Sequence, residues 1–187
     1  FPNLLIDHAM RNPHVPPGFW RGVNLNQNTI YLECFIDELA QAAGKDPLEF
    51  RRKLMANHPK HLAVLNAAAE KAGWGKPTPA GVFRGLAQTM GFGSYVAACA
   101  EVSVSKAGQV KVHRIVAATD PGYVVNPQQV AAQVEGSFVY GLTAALHGEC
   151  TVANGRIEQE NFDTYPMLRM DEMPAVETVM VPSGGFW

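Results

Sequence analysis

The stretch SYVAACAEVSVSKAGQVKVHRIVAAT, Ser94 to Thr119, shows an alternation of period two on both sides of a short break. Such alternation is typical of β-strands, because successive side chains point to opposite faces of a sheet. The break KAGQ, residues 106–109, contains a glycine and suits a tight turn. We therefore predict two antiparallel strands. The residues expected to form one ladder are Val102, Val104, Val110, Val112 and Ile115.

Three helices are predicted before this hairpin. Their expected ranges are 26–43, 46–55 and 58–73. Gly44 ends the first helix, while Asp46 suits the N-cap of the second and Pro47 its first position. The apolar stripe of the first helix is expected to consist of Ile30, Phe35, Leu39 and Ala42.

The fold class predicted from these patterns is α+β. An N-terminal loop and helices, 1–75, precede a mixed or antiparallel sheet crossed by one long helix, 82–187. The first 25 residues are proline-rich and expected to be extended, and residues 74–81 to form a linker. Further strands are expected within 82–90, 148–157 and 175–181.

The composition excludes several classes of protein. Of 187 residues, 47% are hydrophobic and 17% charged, and the formal net charge of −2 gives no basic surface for nucleic acid. The three cysteines are far apart, so we expect buried thiols rather than a disulfide framework or a zinc site.

The long helix carries an unusual face. Asn126 suits its N-cap and Pro127 its first turn. Glycine inside a helix costs about 1 kcal/mol relative to alanine, so two glycines need a reason. At helical spacing one face would carry Gln133, Gly136, Ser137, Tyr140 and Gly141. From the residues alone, a packed helix or strand and a bound ligand explain this face equally well.

A second candidate is the loop PPGFWRGVN, residues 16–24. Two prolines stiffen it, two aromatic residues add bulk, and Arg21-Gly22 directly precedes a helix, where an anion or ligand is favoured. An ordinary packed loop explains the pattern as well. GFGS, residues 91–94, lies between two strands and indicates a bulge or a close backbone approach.

The other polar residues predict no catalytic constellation. His58 and His61 are spaced for a metal, but an exposed pair is the favoured interpretation because no third ligand is nearby. His113 is expected to face solvent on a strand. The pairs Asp37-Glu38 and Asp171-Glu172 are interpreted as solvated faces.

Several segments together resemble a known family. PGFWRG, IDELAQAAGKDPLEFRRKLM, GSYVAACAEVSVS, VVNPQQVAAQVEGSFVYGL and NFDTYPMLRM stand in this order. The chain resembles, over essentially its whole length, the molybdopterin-binding large subunit of the xanthine oxidase family of molybdenum hydroxylases. Within that family it is most similar to the branch of the isoquinoline 1-oxidoreductase beta subunit and aldehyde dehydrogenase.

The resemblance implies roles for two places. The cofactor, a molybdenum pyranopterin expected as molybdopterin cytosine dinucleotide, would be contacted by Gln133, Gly136, Ser137, Arg21 and Gly22. The substrate pocket would include Val23, Phe19 and Trp20. An aromatic residue often follows Arg-Gly in the family, and Val23 stands there in this chain.

The resemblance also implies the reaction: oxidation of an aldehyde, or hydroxylation of an N-heteroaromatic ring such as isoquinoline, with water as the oxygen source. The family's catalytic glutamate lies in a Gly-Glu-Pro stretch, and these 187 residues contain none. We therefore expect a C-terminal portion of a longer large subunit, inactive alone, with neither a catalytic residue nor a metal ligand of its own. The alternative is a non-catalytic module of the same fold that docks a partner subunit.

The implied partners are the rest of the large subunit and a small subunit with [2Fe–2S] clusters, with a cytochrome c as a candidate acceptor. A small molecule is the expected substrate, and nucleic acid is not an expected partner. A periplasmic or membrane-associated bacterial location is favoured over the cytoplasm.

Overall fold

The hairpin predicted within Ser94 to Thr119 forms the centre of a four-stranded sheet in this computed structural model, which describes residues 3–185. The strands of the sheet are β1 (Val82–Gly91), β2 (Ser94–Val104), β3 (Val110–Asp120) and β6 (Ala175–Met180). A separate two-stranded ribbon consists of β4 (Val152–Ala153) and β5 (Arg156–Ile157).

Four helices accompany the sheet: α1 (Leu25–Ala42), α2 (Pro47–Leu54), α3 (Pro59–Ala72) and α4 (Pro127–Leu146). The Asp46 side chain accepts hydrogen bonds from the N–H groups of Leu48 and Glu49 at 2.9 and 3.0 Å, which confirms the predicted N-cap of α2. Residues 3–20 form neither helix nor strand. Phe1 and Pro2 of the predicted extended segment, and Phe186 and Trp187 at the end of 82–187, lie outside the described residues.

The strand register confirms the predicted ladder. Val102 lies opposite Val112 and Val104 opposite Val110, while a bulge after Glu101 places Ile115 opposite Ala100. β6 runs parallel to β3, so the sheet is mixed, and α4 lies in the connection between these two strands. The α+β fold class is confirmed. The helix that packs against all four strands of the sheet is α3, whereas α4 packs on β6.

The core lies between α3 and the sheet. Its buried members are Leu48, Val64, Leu65, Ala68, Ala69, Ala72, Leu86, Ala97, Cys99, Val116 and Ala118. Small side chains on α3 and β2 let the helix lie close to the strands. The helical segment and the sheet share this core, and the boundaries 1–75 and 82–187 stay a prediction.

The prediction of three buried thiols is wrong for two cysteines. Cys34 and Cys150 are exposed, and only Cys99 is buried. Burial raises the pKa of the Cys99 thiol to about 11, because the thiolate would lose its hydration, so this cysteine is protonated at neutral pH.

The predicted apolar stripe of α1 is also wrong. Ile30 and Phe35 are 60% and 55% exposed, whereas the buried residues of α1 are Glu33, Ile36 and Ala40. The helix is rotated so that a carboxylate, rather than the largest apolar residues, faces the protein interior.

A buried ion pair explains this rotation. The Arg51 side chain is fully buried, and its Nε donates to Glu33 Oε2 at 2.9 Å. The same carboxylate oxygen accepts the backbone N–H of Gln88 on β1 at 2.8 Å. Asp37, whose side chain is 45% exposed, accepts from Arg51 Nη1 at 2.5 Å, so this residue of the solvated face also pairs with the buried arginine. Glu33 thus joins α1, α2 and β1.

None of the helices within residues 3–185 is both long and apolar enough to cross a membrane.

Candidate functional site

The long helix α4 begins as the sequence predicts. The Asn126 side-chain oxygen accepts a hydrogen bond from the Gln129 N–H at 3.2 Å, and Pro127 is the first helical residue. Most of α4 is exposed or half-buried, and Thr143 is its buried residue. The helix therefore rests on the protein near its C-terminal end and presents much of its surface outward.

The glycine face of α4, defined as Gln133, Gly136, Ser137, Tyr140 and Gly141, is open. A Cβ atom added at Gly136 or at Gly141 would meet nothing within 4 Å. Among residues 3–185, therefore, no helix or strand explains these glycines by close packing. Gln133 is exposed, and the Ser137 hydroxyl donates to the Val134 carbonyl at 2.6 Å, so its oxygen can still accept a hydrogen bond.

The Arg21-Gly22 loop is a tight turn with two strained residues. The Val23 N–H donates to the Trp20 carbonyl at 2.9 Å. Arg21 and Val23 have φ values of 43° and 60°, a region that side-chain-bearing residues rarely adopt. A Cβ at Gly22 would lie 2.7 Å from the Asn26 side-chain oxygen. Strain of this kind concentrates at functional sites, which makes the turn a candidate.

A cation–π contact brings the two predicted places together. The Arg21 guanidinium carbon lies 3.5 Å from the centre of the Tyr140 ring. Tyr140 belongs to the glycine face, so the loop before α1 reaches the exposed side of α4. Gly136 lies one helical turn away, about 6 Å along the axis.

A cleft of about 500 Å³ opens beside this contact. We call it the α4 cleft, and its lining residues are Arg21, Tyr140, Phe162, Met167 and Arg169. The last three were not among the residues predicted for the site, because they lie in an irregular segment whose position the chain pattern does not reveal. Their only sequence signal is the motif NFDTYPMLRM, one of the segments that carry the resemblance.

Thr143 holds this irregular segment against α4. Its hydroxyl donates to the Val139 carbonyl at 2.6 Å and accepts the Leu168 N–H at 3.0 Å. Leu168 is buried, between the cleft residues Met167 and Arg169. One buried hydroxyl thus links the two walls of the α4 cleft.

The other residues predicted for the substrate pocket lie outside the cleft lining. Phe19 is 94% exposed, and Trp20 and Val23 are exposed as well. Gly22 lies in the turn next to Arg21. Their proposed contacts with cofactor or substrate stay predictions.

The histidine pair differs from its expected exposed arrangement. His58 is exposed, but His61 is half-buried, with its ring centre 4.9 Å from that of Tyr95. Among residues 3–185, His61 Nδ1 and both polar atoms of the neighbouring Gln88 side chain are buried and make no hydrogen bond of good geometry, although the two side chains lie close enough to interact. Burial lowers the pKa of His61, and the charge of nearby His58 lowers it further, while the Gln88 side chain acts in the opposite direction. Within residues 3–185 no three metal-ligating side chains cluster. His113 is exposed on β3, as predicted.

GFGS forms the turn between β1 and β2. Phe92 and Gly93 both have positive φ, at 51° and 79°, as a two-residue hairpin turn requires. A Cβ at Gly91 would collide with the Leu25 side chain. The Gly91 backbone is therefore closely approached, but by the Leu25 side chain at the start of α1 rather than by another backbone segment, and the β1–β2 pairing has no bulge there.

A second cleft, of about 450 Å³, lies between α2 and α3. Its polar groups already satisfy one another: Asp46 caps α2 and accepts the Trp74 indole N–H at 3.0 Å, and Arg52 pairs with Glu49. This cleft therefore offers a ligand little unused bonding capacity.

Comparison with known proteins yields one family. Residues 35–174 match the family described as molybdopterin cofactor-binding domain. The chain is 32% identical over 180 residues to the beta subunit of isoquinoline 1-oxidoreductase from Brevundimonas diminuta, an alignment that covers 94% of this chain and 23% of that protein.

Two further relatives are similar. A nicotinate dehydrogenase subunit of Pseudomonas putida is 32% identical over 188 residues, covering 91% of this chain and 16% of that protein. The membrane-bound aldehyde dehydrogenase (pyrroloquinoline-quinone) of Gluconacetobacter polyoxogenes is 30% identical over 187 residues. That alignment covers 89% of this chain and 24% of that protein. The chain spans about a quarter or less of the length of these three relatives.

Proposed function

Because the chain belongs to the molybdopterin cofactor-binding domains of the xanthine oxidase family, we propose that the glycine face of α4 and the Arg21 turn form one wall of a molybdenum-cofactor site. The open space in front of Gly136 and Gly141 supports this proposal, since a flat group can approach the helix there. An exposed amide and a hydroxyl oxygen on the same face suit a polar ring system. The residues of the glycine face and the Arg21 turn therefore fit a molybdenum pyranopterin.

Each residue has a definite task in this proposal. The Gln133 amide both donates and accepts hydrogen bonds, so it can bind and orient the pterin edge. Gly136 keeps the helix surface low, and the Ser137 oxygen accepts a hydrogen bond. Arg21, held on Tyr140, adds positive charge at the end of the same face, and Gly22 allows the turn that places it.

The proposed reaction is the oxidation of an aldehyde or the hydroxylation of an N-heteroaromatic ring such as isoquinoline. When bound, the molybdenum cofactor supplies a two-electron oxidation with water as the oxygen source. The names of the relatives support this reaction class. Since the chain spans at most 24% of their length, we propose that turnover needs residues beyond these 187, including the catalytic glutamate. Oxidation of isoquinoline or an aldehyde by the isolated chain would contradict this.

The proposed assembly follows from the same relatives. Two of them are named as subunits, which supports a partner subunit, here proposed to carry [2Fe–2S] clusters and to pass electrons to a cytochrome c. We propose the cytosine dinucleotide form of the cofactor. We also propose a periplasmic or membrane-associated location; one relative is named as membrane-bound.

Gln133→Ala tests the cofactor site. The matched control is Gln128→Ala, an exposed glutamine about 140° around the same helix, since each residue turns the helix by roughly 100°. Molybdenum per mole of protein is measured by elemental mass spectrometry, together with the thermal midpoint and subunit association. We expect Gln133→Ala to lower molybdenum content several-fold with folding intact, and Gln128→Ala to leave it unchanged.

The rival is a non-catalytic docking module. It requires the opposite result: Gln133→Ala would weaken association with a partner subunit, and the purified parent protein would contain no molybdenum.

A further inference from the structure

We propose that the α4 cleft binds a flat aromatic molecule that carries a carboxylate, so that such aromatic acids are the substrate class of the proposed enzyme. This inference rests on the proposed function for its catalytic meaning. The binding site itself stands on the geometry of two arginines, two aromatic rings and a methionine.

The charge of the cleft is uncompensated. Arg21 and Arg169 line it, and neither guanidinium forms an ion pair with a carboxylate within residues 3–185. Elsewhere within residues 3–185 a carboxylate pairs with Arg51, Arg52, Arg84 and Arg114, whereas none pairs with Arg11 or Arg156. Glu172 lies near Arg169 but accepts its backbone N–H, at 2.7 Å. The lining residues include no acid, so the cleft favours an anion.

The way Arg21 is held leaves its donors available. Its guanidinium carbon lies over the Tyr140 ring, 3.5 Å from the ring centre. The N–H donors lie in the plane of the guanidinium, and no described residue accepts a hydrogen bond from them. A carboxylate matches this fork with two parallel hydrogen bonds.

The apolar side chains that line the cleft favour a ligand with an aromatic ring. Phe162 is 69% exposed, although a phenyl side chain normally gains free energy from burial, and Met167 is half-buried beside it. A bare phosphate would leave both side chains without a partner. An aromatic ring covers them, and contacts of sulfur and of aromatic faces with such a ring are favourable.

The size and place of the cleft suit a substrate. Its volume of about 500 Å³ falls in the usual range for small-molecule sites. Tyr140 belongs both to the cleft and to the glycine face, so a ring bound there lies next to the proposed cofactor wall. Recognition of the carboxylate would fix which edge of the ring turns toward that wall.

The test measures binding by isothermal titration calorimetry to the protein as purified, with any cofactor and partner subunits it carries. The probes are benzoate, the neutral analogue benzamide, the non-aromatic cyclohexanecarboxylate and inorganic pyrophosphate. We expect benzoate to bind best. Arg21→Gln and Arg169→Gln should each weaken benzoate about tenfold, the effect of losing a charge-assisted hydrogen bond, and leave benzamide unchanged. Arg156→Gln, at an exposed arginine of β5 outside the cleft, is the matched control.

Three results would overturn the inference. They are equal binding of benzoate and benzamide, benzoate binding that neither cleft variant weakens, and pyrophosphate binding tighter than benzoate with equal sensitivity to both variants. The last result would assign the arginines to a phosphate of the cofactor. Arg169→Lys, which keeps the charge, should retain more affinity than Arg169→Gln if both variants fold. The benzoate titrations test this inference, whereas the molybdenum content tests the proposed function. A failure of one can therefore be distinguished from a failure of the other.

Discussion

Arg21 lies over the ring of Tyr140, 3.5 Å from its centre, although the two residues are far apart in the sequence. This contact connects the strained turn before α1 to the glycine face of α4. The position of α1 depends in turn on Glu33, which bonds both Arg51 and the backbone of β1. The predicted cofactor wall is therefore assembled from two distant segments, each anchored on the same sheet.

Gly136 offers two tests with different variants, one of the free energy of unfolding and one of molybdenum content. Because nothing lies within 4 Å of an added Cβ, Gly136→Ala should raise the free energy of unfolding of the cofactor-free protein by about 0.5–1 kcal/mol. Gly136→Leu should lower molybdenum content, because its side chain would fill the space proposed for the cofactor. Urea unfolding and elemental mass spectrometry give the two values.

Gly141→Ala is the matched control for stability, since its Cβ would also meet open space. A loss of stability in Gly136→Ala would show that the face is packed against protein. Full molybdenum content in Gly136→Leu would contradict the proposed cofactor wall.

Thr143 should control the α4 cleft through one hydrogen bond. Thr143→Val keeps the shape but leaves the buried N–H of Leu168 without its acceptor, at a cost of about 1–3 kcal/mol. Hydrogen exchange of the 161–170 amides should speed up in this variant, whereas Thr143→Ser retains the hydroxyl and should keep their protection. Equal exchange in the two variants would refute this role.

The buried carboxylate of Glu33 should be essential for stability. Glu33→Ala leaves the fully buried Arg51 without its principal acceptor, and we expect a loss of about 3–5 kcal/mol in urea unfolding. Glu49→Ala removes a comparable but exposed partner from Arg52 and should cost at most about 1 kcal/mol. Similar losses in both variants would mean that burial of the Glu33 pair is unimportant.

His61 should make stability depend on pH. Its pKa is lowered in the folded protein, mainly by burial, so the unfolded chain binds a proton at a higher pH than the folded one. Stability should therefore fall as the pH drops below about 6.5, the ordinary histidine value, until the folded protein also takes up the proton. His61→Asn should flatten this slope below about pH 6.5 in urea unfolding.

His58→Asn is the companion variant for this measurement. It removes only the secondary cause of the shift, so the slope should be reduced in part. A slope in His61→Asn as steep as in the parent protein would assign the pH dependence to other groups.

Much of the fold could be predicted from local patterns. Alternation identified β2 and β3, and caps at Asp46 and Asn126 placed the starts of α2 and α4 correctly. The pattern failed on α1, where Ile30 and Phe35 suggested the buried face. The fully buried Arg51 needs a carboxylate, and that need outweighs the burial of two apolar side chains, since an unpaired buried charge costs several kcal/mol.

The sequence by itself determined the elements and the glycine face of α4, because periodicity, capping and helix spacing act between residues a few positions apart. Only the tertiary structure decided that Arg21 meets Tyr140 and that Phe162, Met167 and Arg169 form the opposite wall of one cleft. Those residues lie in segments without a regular period. Their positions follow from long-range contacts, such as the bond of Leu168 to Thr143, that no local pattern encodes.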